Sequence, residues 1–277
     1  MTKAVTDWEY RGIDLTTVAY DVRMLGAPEQ VPARRGDNLV VPGKTGRFRT
    51  SLKPLDERRL TLAMFVDAQP PAGGARSGSQ LWTNLETLKK VFAADGIGTL
   101  KAKNAGGTGA SGTTRVATVE VINQVDFDPG GPWHYGLAVE FAFADPFWYA
   151  ENATVVGPTN ITSNPQNIAL DNIGTYRAEK PTVTLLTPAG GTVINPKFTV
   201  GDYYVEYTGT VAASGTLVLS CGSFTAMKGT QVVTGDIAHD GGLVWLSLPV
   251  GSADLAFSAG SVVGTPTVQV SWTPAFL

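Results

Sequence analysis

Cysteine and histidine are scarce in this chain of 277 residues, which contains one cysteine, Cys221, and two histidines, His134 and His239. A single cysteine excludes an intrachain disulfide and any zinc or iron–sulfur site built from several thiolates. The two histidines lie in different halves of the sequence, so they cannot form a two-histidine metal site on one helix. We therefore expect folding to rely on packing, with no metal and no cofactor.

Charge is also sparse, since 16% of the residues are charged and the formal net charge is −3. A protein that binds nucleic acid by neutralising many phosphates usually needs a strongly basic domain, so the composition disfavours that function. No stretch approaches the roughly 18 apolar residues of a transmembrane helix, and residues 1–12 contain no run typical of a signal peptide. We expect a soluble protein made in a cytoplasm.

Glycine and proline, in contrast, are abundant, at 32 and 17 residues. This abundance favours many turns and short elements, as β proteins have. In the second half, short apolar or alternating segments recur at intervals of roughly ten residues, which is typical of an antiparallel sandwich. The predicted strands are 181–187, 202–209, 215–221, 242–249, 254–260 and 267–272.

The first half contains one convincing helix, predicted over residues 79–95, with Ser79 as its N-cap and Gly96 as its stop. Alternating segments at 59–66, 114–127 and 136–143 predict strands around it. A β-sheet domain with one packed helix is therefore expected. The apolar stripe of the helix recurs at spacings of four, three and four, and consists of Leu81, Leu85, Leu88 and Phe92, with Trp82 beside them.

The two halves differ in charge density, with 33 charged residues in positions 1–150 and 12 in positions 151–277. Such a change in composition is typical of a domain boundary. Residues 155–167 are rich in proline, asparagine and threonine, which favours a linker. We predict an N-terminal domain over 1–154, a linker over 155–169 and a C-terminal domain over 170–277.

No residue pattern indicates an active site, and we expect the protein not to be an enzyme. His239 lies between Asp236 and Asp240, but glycines follow at once, so a polar turn is favoured over half of a catalytic triad. Cys221 lies in an alternating strand and is interpreted as a core residue. The eight acidic residues of the second half stand in no recognisable catalytic context.

One charged cluster, between residues 34 and 59, holds eight basic and three acidic residues. A solvated surface is one interpretation. The other is an assembly face, on which arginines pair with the carboxylates of an acidic partner protein. Its candidate residues are Arg34, Arg35, Lys44, Arg47, Arg49, Arg58 and Arg59, with Lys53 among them.

Three ordered features resemble the distal tail proteins of long-tailed bacteriophages, from about residue 50 to the end. The first is an alternating strand that ends in Asp-Pro and an aromatic cluster, at residues 141–149. The second is the start of the following domain, where Gly, Pro and Asn-Pro occur in the order and at the spacing found in the family. The third is the end of the sequence, which reads LVWLSLPVGSADLAFSAG and then VQVSWTPAFL. The turn at 249–252 only approximates the family's Pro-Gly-x-Asn. The family-motif residues are Asp145, Pro146, Phe147, Trp148, Tyr149, Gly174, Pro181, Asn195 and Pro196.

The resemblance implies a mainly β protein: an N-terminal β-sheet or split-barrel domain with one packed helix, then a galectin-like or carbohydrate-module-like sandwich. It implies a structural role in the virion tail tip, as a hexameric ring synthesised in the host bacterial cytoplasm. The tail tube protein would lie on one side and the tail hub or tail-associated protein on the other. DNA would only pass through the central channel.

A carbohydrate-binding adhesion module is the alternative function, because a β-sandwich could bind sugars of the host cell wall. Sugar sites usually need an exposed aromatic platform. Tyr203, Tyr204, Tyr207 and Trp245 are the candidates, although strand alternation places Tyr203 and Tyr207 on one face that would also suit a core.

Overall fold

The computed structural model describes residues 7–17, 19–25, 39–40, 47–48, 57–93, 96–105, 113–127, 133–240 and 245–277. The chain divides into two compact units. Unit 1 comprises residues 1–149 together with residue 277, and unit 2 comprises residues 150–276.

Unit 1 is an antiparallel sheet with one helix, as the period-two segments predict. Seven strands follow the order β2-β1-β7-β8-β9-β6-β3, β10 pairs with β8, and β4 pairs with β5 separately. The elements are β1 Asp7–Tyr10, β2 Ile13–Asp14, β3 Tyr20–Leu25, β4 Leu39–Val40, β5 Arg47–Phe48, β6 Arg59–Asp67, α1 Gly78–Ala93, β7 Gly98–Ala105, β8 Thr113–Phe127, β9 His134–Phe143 and β10 Trp148–Ala150.

Helix α1 packs on β6 and β9 through the predicted stripe, of which Leu85, Leu88 and Phe92 are buried. Its cap differs from the prediction. Ser77, not Ser79, accepts the Gln80 backbone N–H on its hydroxyl oxygen at 3.1 Å, so the helix begins at Gly78. The described helix ends at Ala93, and Gly96 has a φ of +83°, a conformation that glycine commonly adopts after a helix.

The core of unit 1 lies between α1 and one face of the sheet. Alternate residues of β6 and β9 point to this face, and Leu62, Met64, Leu137, Val139 and Phe141 are fully buried there. Aromatic rings join the helix to two strands, since Phe92 stacks on Tyr10 at 5.5 Å and meets the edge of Phe141 at 6.1 Å. The opposite face of the sheet is not covered by α1.

Unit 2 is built from antiparallel sheets of six, five and three strands, ordered β11-β24-β13-β18-β19-β20, β12-β22-β15-β16-β21 and β17-β14-β23. A short 3-10 turn spans Thr234–Asp236. The strands are β11 Thr154–Asn160, β12 Gln166–Asn172, β13 Thr182–Leu186, β14 Thr192–Ile194, β15 Lys197–Val200, β16 Tyr203–Tyr207, β17 Thr210–Val211, β18 Thr216–Ser220, β19 Thr225–Lys228, β20 Gln231–Val232, β21 Ile237–His239, β22 Gly251–Ser258, β23 Ser261–Val263, β24 Thr267–Trp272 and β25 Ala275–Phe276.

One apolar cluster fills unit 2 and joins the six-stranded to the five-stranded sheet. The six-stranded sheet contributes side chains such as Leu185, Leu217 and Val270, and the five-stranded sheet contributes others such as Phe198 and Phe257. Every second residue of these strands points inward, so each sheet has one buried face. The predicted mainly β fold, with one helix in the first half and an antiparallel sandwich in the second, is confirmed.

The predicted linker over 155–169 is wrong. Most of this segment forms β11 and the first part of β12, which pair with β24 and β22. Ile161 and Ile168 are buried in the core of unit 2. Pro158 suggested a linker, but it lies in an edge strand, at a register shift between Val156 and Thr159. Because proline has no backbone N–H, it is tolerated at such a position, where no hydrogen bond between strands is lost.

The strand predicted over 242–249 is not found within its described part, residues 245–249. Trp245, Leu246 and Leu248 are buried, but only Leu248 pairs with another backbone segment, in an isolated bridge to Ala178. The apolar run therefore reflects burial in the core and not a ladder of hydrogen bonds. Among the described residues, no helix is long and apolar enough to cross a membrane.

Candidate functional site

The first family motif, residues 145–149, closes unit 1 by packing. Tyr149 donates a hydrogen bond from its hydroxyl to Asp145 Oδ2 at 2.6 Å, which holds the turn around Pro146. The Trp148 ring is buried, with its centroid 5.1 Å from Phe143 and 6.0 Å from Trp8. Phe147 contacts Tyr149 at 6.3 Å between ring centroids. The motif thus serves core packing, which is compatible with the family resemblance.

The second motif begins at Gly174, where backbone approaches backbone. A Cβ on Gly174 would lie 2.5 Å from the carbonyl oxygen of Ala275, so no other residue fits without a shift. Nearby, the buried Asn172 donates its side-chain amide to the carbonyl oxygens of Tyr176 and Pro249, both at 3.1 Å. This single side chain therefore ties three separate segments of unit 2 together.

The remaining motif residues shape turns of unit 2. Asn195 has a φ of +49°, in the left-handed region that asparagine tolerates better than most residues. The carbonyl oxygen of Pro196 accepts the Tyr207 N–H at 3.0 Å, and that of Pro181 accepts the Cys221 N–H at 3.0 Å. At these positions the described roles are turn geometry and backbone hydrogen bonding within unit 2.

The predicted assembly face is only partly described. Arg34, Arg35, Lys44 and Arg49 lie outside the described residues, as does the side chain of Arg47, so the face stays a prediction for them.

The prediction that Arg58 belongs to the assembly face is wrong, because this residue is only 6% exposed. Its guanidinium lies 5.5 Å from the ring centroid of Phe143 and 3.5 Å from the carbonyl oxygen of Pro146. Burial, with the nearby charge of Arg115, lowers its pKa. Arg59 is exposed but already pairs with Glu57 at 3.1 Å and with Glu140 at 3.5 Å. The sequence could not reveal these partners, because a strand start can point to either face.

The thiol of Cys221 is buried in the core of unit 2. Burial raises the pKa of the Cys221 thiol to about 12, as expected for a core cysteine. His239 belongs to β21 in unit 2, whereas His134 of unit 1 lies 3.2 Å from Asp67. Within the described ranges, no group of three histidine, cysteine or acidic side chains is placed to hold a metal.

Two of the four residues predicted as an aromatic platform for sugars are buried, and the other two are half-buried. Tyr207 and Trp245 are buried in the core of unit 2, and Tyr203 packs against that core. Tyr204 is half-buried, and Lys197 Nζ lies 4.0 Å above its ring centroid, so one face of this ring is already in contact with a cation. Alternation predicted the inward position of Tyr207 correctly.

A depression of about 430 Å³ lies beside β11, β12 and β22 of unit 2. The residues that line it include no aromatic ring and no histidine, so it offers neither a stacking surface for a sugar nor an imidazole base. Its lining consists of Thr154, Val156, Ala169, Leu170, Asp171, Ser252, Ala253 and Asp254.

The outward face of α1 was not singled out from the sequence. Trp82, placed beside the apolar stripe, is 63% exposed. Thr83 and Thr87 donate their hydroxyls to backbone carbonyls four residues earlier, at 3.0 and 2.8 Å, so both side chains satisfy their donors within the helix. A tryptophan on the polar side of the helical wheel was the available signal. We call Trp82, Thr83, Glu86, Thr87 and Lys90 the outer helix face.

A second exposed apolar surface lies on β8. Val125 is 52% exposed and Ile122, at a register irregularity between Val121 and Asn123, is 41% exposed. Val125 stands opposite Ala138, and Glu120 stands opposite Ala142. Both therefore point away from the sheet face that carries Phe141 and α1. We call Glu120, Ile122 and Val125 the β8 patch.

Comparison with solved structures shows a fold shared with phage tail components. The structure of the SPP1 Dit (gp 19.1) protein, described as a paradigm of the hub adsorption apparatus in phages that infect Gram-positive bacteria, matches with a TM-score of 0.64 at 15% identity. The match covers 99% of this chain and 100% of that one. The baseplate of phage P2 in its activated conformation with Ca matches at a TM-score of 0.44 and 8% identity, covering 98% of both chains.

No family model matches the chain, and no curated protein matches it by sequence. The resemblance to distal tail proteins is thus confirmed at the level of the fold, by a match that spans 99% of the chain.

Proposed function

We propose that this chain is a structural protein of a phage tail tip, and that six copies form a ring between the tail tube and the tail hub. The observation that supports this proposal is the likeness to a hub adsorption protein over 99% of the chain, which includes both units in the same order. Since a fold hosts more than one function, the role must be tested on the protein itself.

The described surfaces agree with an assembly role better than with a catalytic one. The depression of unit 2 lacks an aromatic ring and an imidazole, and the candidate platform residues are buried or covered. Several exposed apolar side chains of unit 1, such as Trp82 and Val125, lie instead on a helix face and a sheet face, which suit contacts with other proteins. We propose no enzymatic activity and no separate sugar-binding function.

Light scattering coupled to size-exclusion chromatography tests the ring. The purified chain has a mass of 29.1 kDa, so a ring elutes with about six times that mass at high protein concentration. Electron microscopy of the same peak should show annular particles with an open channel. A chain that stays monomeric from micromolar to millimolar concentration overturns the ring.

A second measurement tests the place in the virion. Antibodies against the chain should label isolated phage particles at the tail tip, between the tube and the host-recognition apparatus. Labelling of the capsid, or none at all on particles, contradicts the tail assignment.

A further inference from the structure

We propose that the outer helix face of one copy contacts the β8 patch of the next, and that this pairing forms the ring. The inference rests on the proposed function, and it names the two surfaces of unit 1 that meet.

The outer helix face is more apolar than its sequence implies. The indole of Trp82 is 63% exposed, which is unusual for the largest side chain in a protein. The hydroxyls of Thr83 and Thr87 are bonded to the helix backbone, so these residues require no further donor partners from solvent. Desolvating this face therefore removes an aromatic surface from water without leaving the two hydroxyl donors unsatisfied.

Glu120 and Val125 of the β8 patch lie on the other side of the same sheet. Phe92 of α1 contacts Phe141, which marks the face that the helix covers. The side chains of Val125 and Glu120 point to the face of the sheet opposite to Phe141. The exposed Ile122 lies between them in sequence, at the bulge. Since α1 is fixed on the far face, a copy cannot cover its own β8 patch with its own helix.

A second copy of the chain suits both surfaces. The outer helix face extends about 12 Å from Trp82 to Lys90, at 1.5 Å per residue. The β8 patch extends about 16 Å from Val125 to Glu120, at roughly 3.3 Å per residue. With Trp82 placed against Val125 and Ile122, these spacings put Lys90 at the end of the contact that holds Glu120, while the acidic Glu86 lies between Trp82 and Lys90.

This contact is heterologous, because a helix face on one copy meets a different surface on the next. Heterologous contacts generate a closed ring when the rotation between copies closes, and each copy then buries both its outer helix face and its β8 patch. The sheet of every copy would be covered on both sides, by its own α1 and by the α1 of a neighbour.

Two variants of the full chain test the pairing by light scattering. Trp82→Lys removes the helix face, and Val125→Lys removes the β8 patch. Each variant alone should elute as a monomer under conditions in which the wild-type chain is hexameric. The matched control is Val232→Lys, which introduces the same charge at a position of unit 2 that is 66% exposed, and it should remain hexameric.

Mixing the two variants distinguishes the proposed contact from other arrangements. Trp82→Lys keeps an intact β8 patch and Val125→Lys keeps an intact outer helix face, so an equimolar mixture should form dimers with one productive contact. A mixture that stays monomeric overturns the pairing, because the intact outer helix face of one variant would then not bind the intact β8 patch of the other. Far-ultraviolet circular dichroism checks folding, and Trp82→Gln and Val125→Gln serve as milder replacements if a lysine variant is unfolded.

The outcomes separate this inference from the proposed function. A hexameric wild type whose variants also stay hexameric overturns the pairing and leaves the ring intact. A monomeric wild type overturns the ring, and the pairing with it.

Discussion

Units 1 and 2 are both β structures with an apolar core, but they differ in their ion pairs. Unit 1 uses ion pairs between distant segments, such as Lys89 with Asp126 at 3.0 Å and Lys103 with Glu9 at 3.1 Å. Unit 2 instead buries one continuous apolar cluster between two sheets and has the lower charge density. The change in charge density along the sequence therefore coincides with a difference in ion pairing between the units, whereas both rely on buried apolar side chains. We therefore expect unit 1 to respond to pH, and unit 2 mainly to packing.

The largest effect should come from removing the first strands of unit 2. A fragment of residues 150–277 should unfold cooperatively, whereas residues 170–277 should not. The shorter fragment lacks β11 and most of β12, and with them the buried Ile161 and Ile168. Burial of each such side chain contributes about 1.5–3 kcal/mol. Thermal melts followed by circular dichroism measure this, and equal midpoints for the two fragments would restore the linker interpretation.

Next in size is truncation of one core phenylalanine in each unit. Phe141→Ala in unit 1 and Phe257→Ala in unit 2 should each lower the free energy of unfolding by about 3–5 kcal/mol, because both side chains are fully buried. In calorimetry, each variant should lower a different transition if the units unfold separately. A single transition that both variants shift equally would mean that the two units unfold as one.

A smaller effect concerns pH in unit 1. Burial acts to raise the pKa of Asp67, but hydrogen bonds and charge from Arg76, the Gln69 N–H and the nearby His134 outweigh it and lower the pKa. A lowered pKa stabilises the folded state above the unfolded value near 4, and this stabilisation is lost as pH falls through the folded value.

Asp67→Asn should therefore lower the free energy of unfolding by about 1 kcal/mol at pH 7. The expected loss is modest because Arg76, the ion-pair partner of Asp67, is half exposed to solvent. The difference from wild type should shrink below about pH 4. Urea denaturation at pH 7, 5 and 3 measures it. Asp254→Asn removes the same charge from an exposed position of unit 2 and serves as the control. A constant difference at all three pH values would contradict the ion-pair account.

The smallest effect should distinguish two neighbouring arginines. Arg59→Ala should leave the midpoint of thermal unfolding unchanged, because its ion pairs with Glu57 and Glu140 are exposed and screened. Arg58→Ala should lower the midpoint, because the Arg58 side chain is buried against Phe143 and its loss removes packing. Equal midpoints for the two variants would mean that the contact with Phe143 contributes nothing.

The periodic segments of the sequence predicted much of this fold. The stripe of Leu85, Leu88 and Phe92 predicted the buried side of α1, and alternation in β6 and β9 predicted their inward residues. These predictions succeeded because the period of apolar residues depends on local backbone geometry alone. Asp145 and Pro146 likewise end a strand for a local reason, since proline cannot donate to the ladder.

The tertiary structure alone decided which side chains stay exposed and which segments pair. Trp82 lies beside the apolar stripe yet faces solvent, and Arg58 lies in a basic cluster yet is buried against Phe143. Pro158 suggested a linker, but it occupies an edge strand whose partner, β24, begins at Thr267, more than one hundred residues later. Exposure and strand pairing depend on residues that are distant in the chain. A local pattern therefore predicts whether a segment forms a helix or a strand. The contacts of that segment with distant residues form only when the whole chain folds.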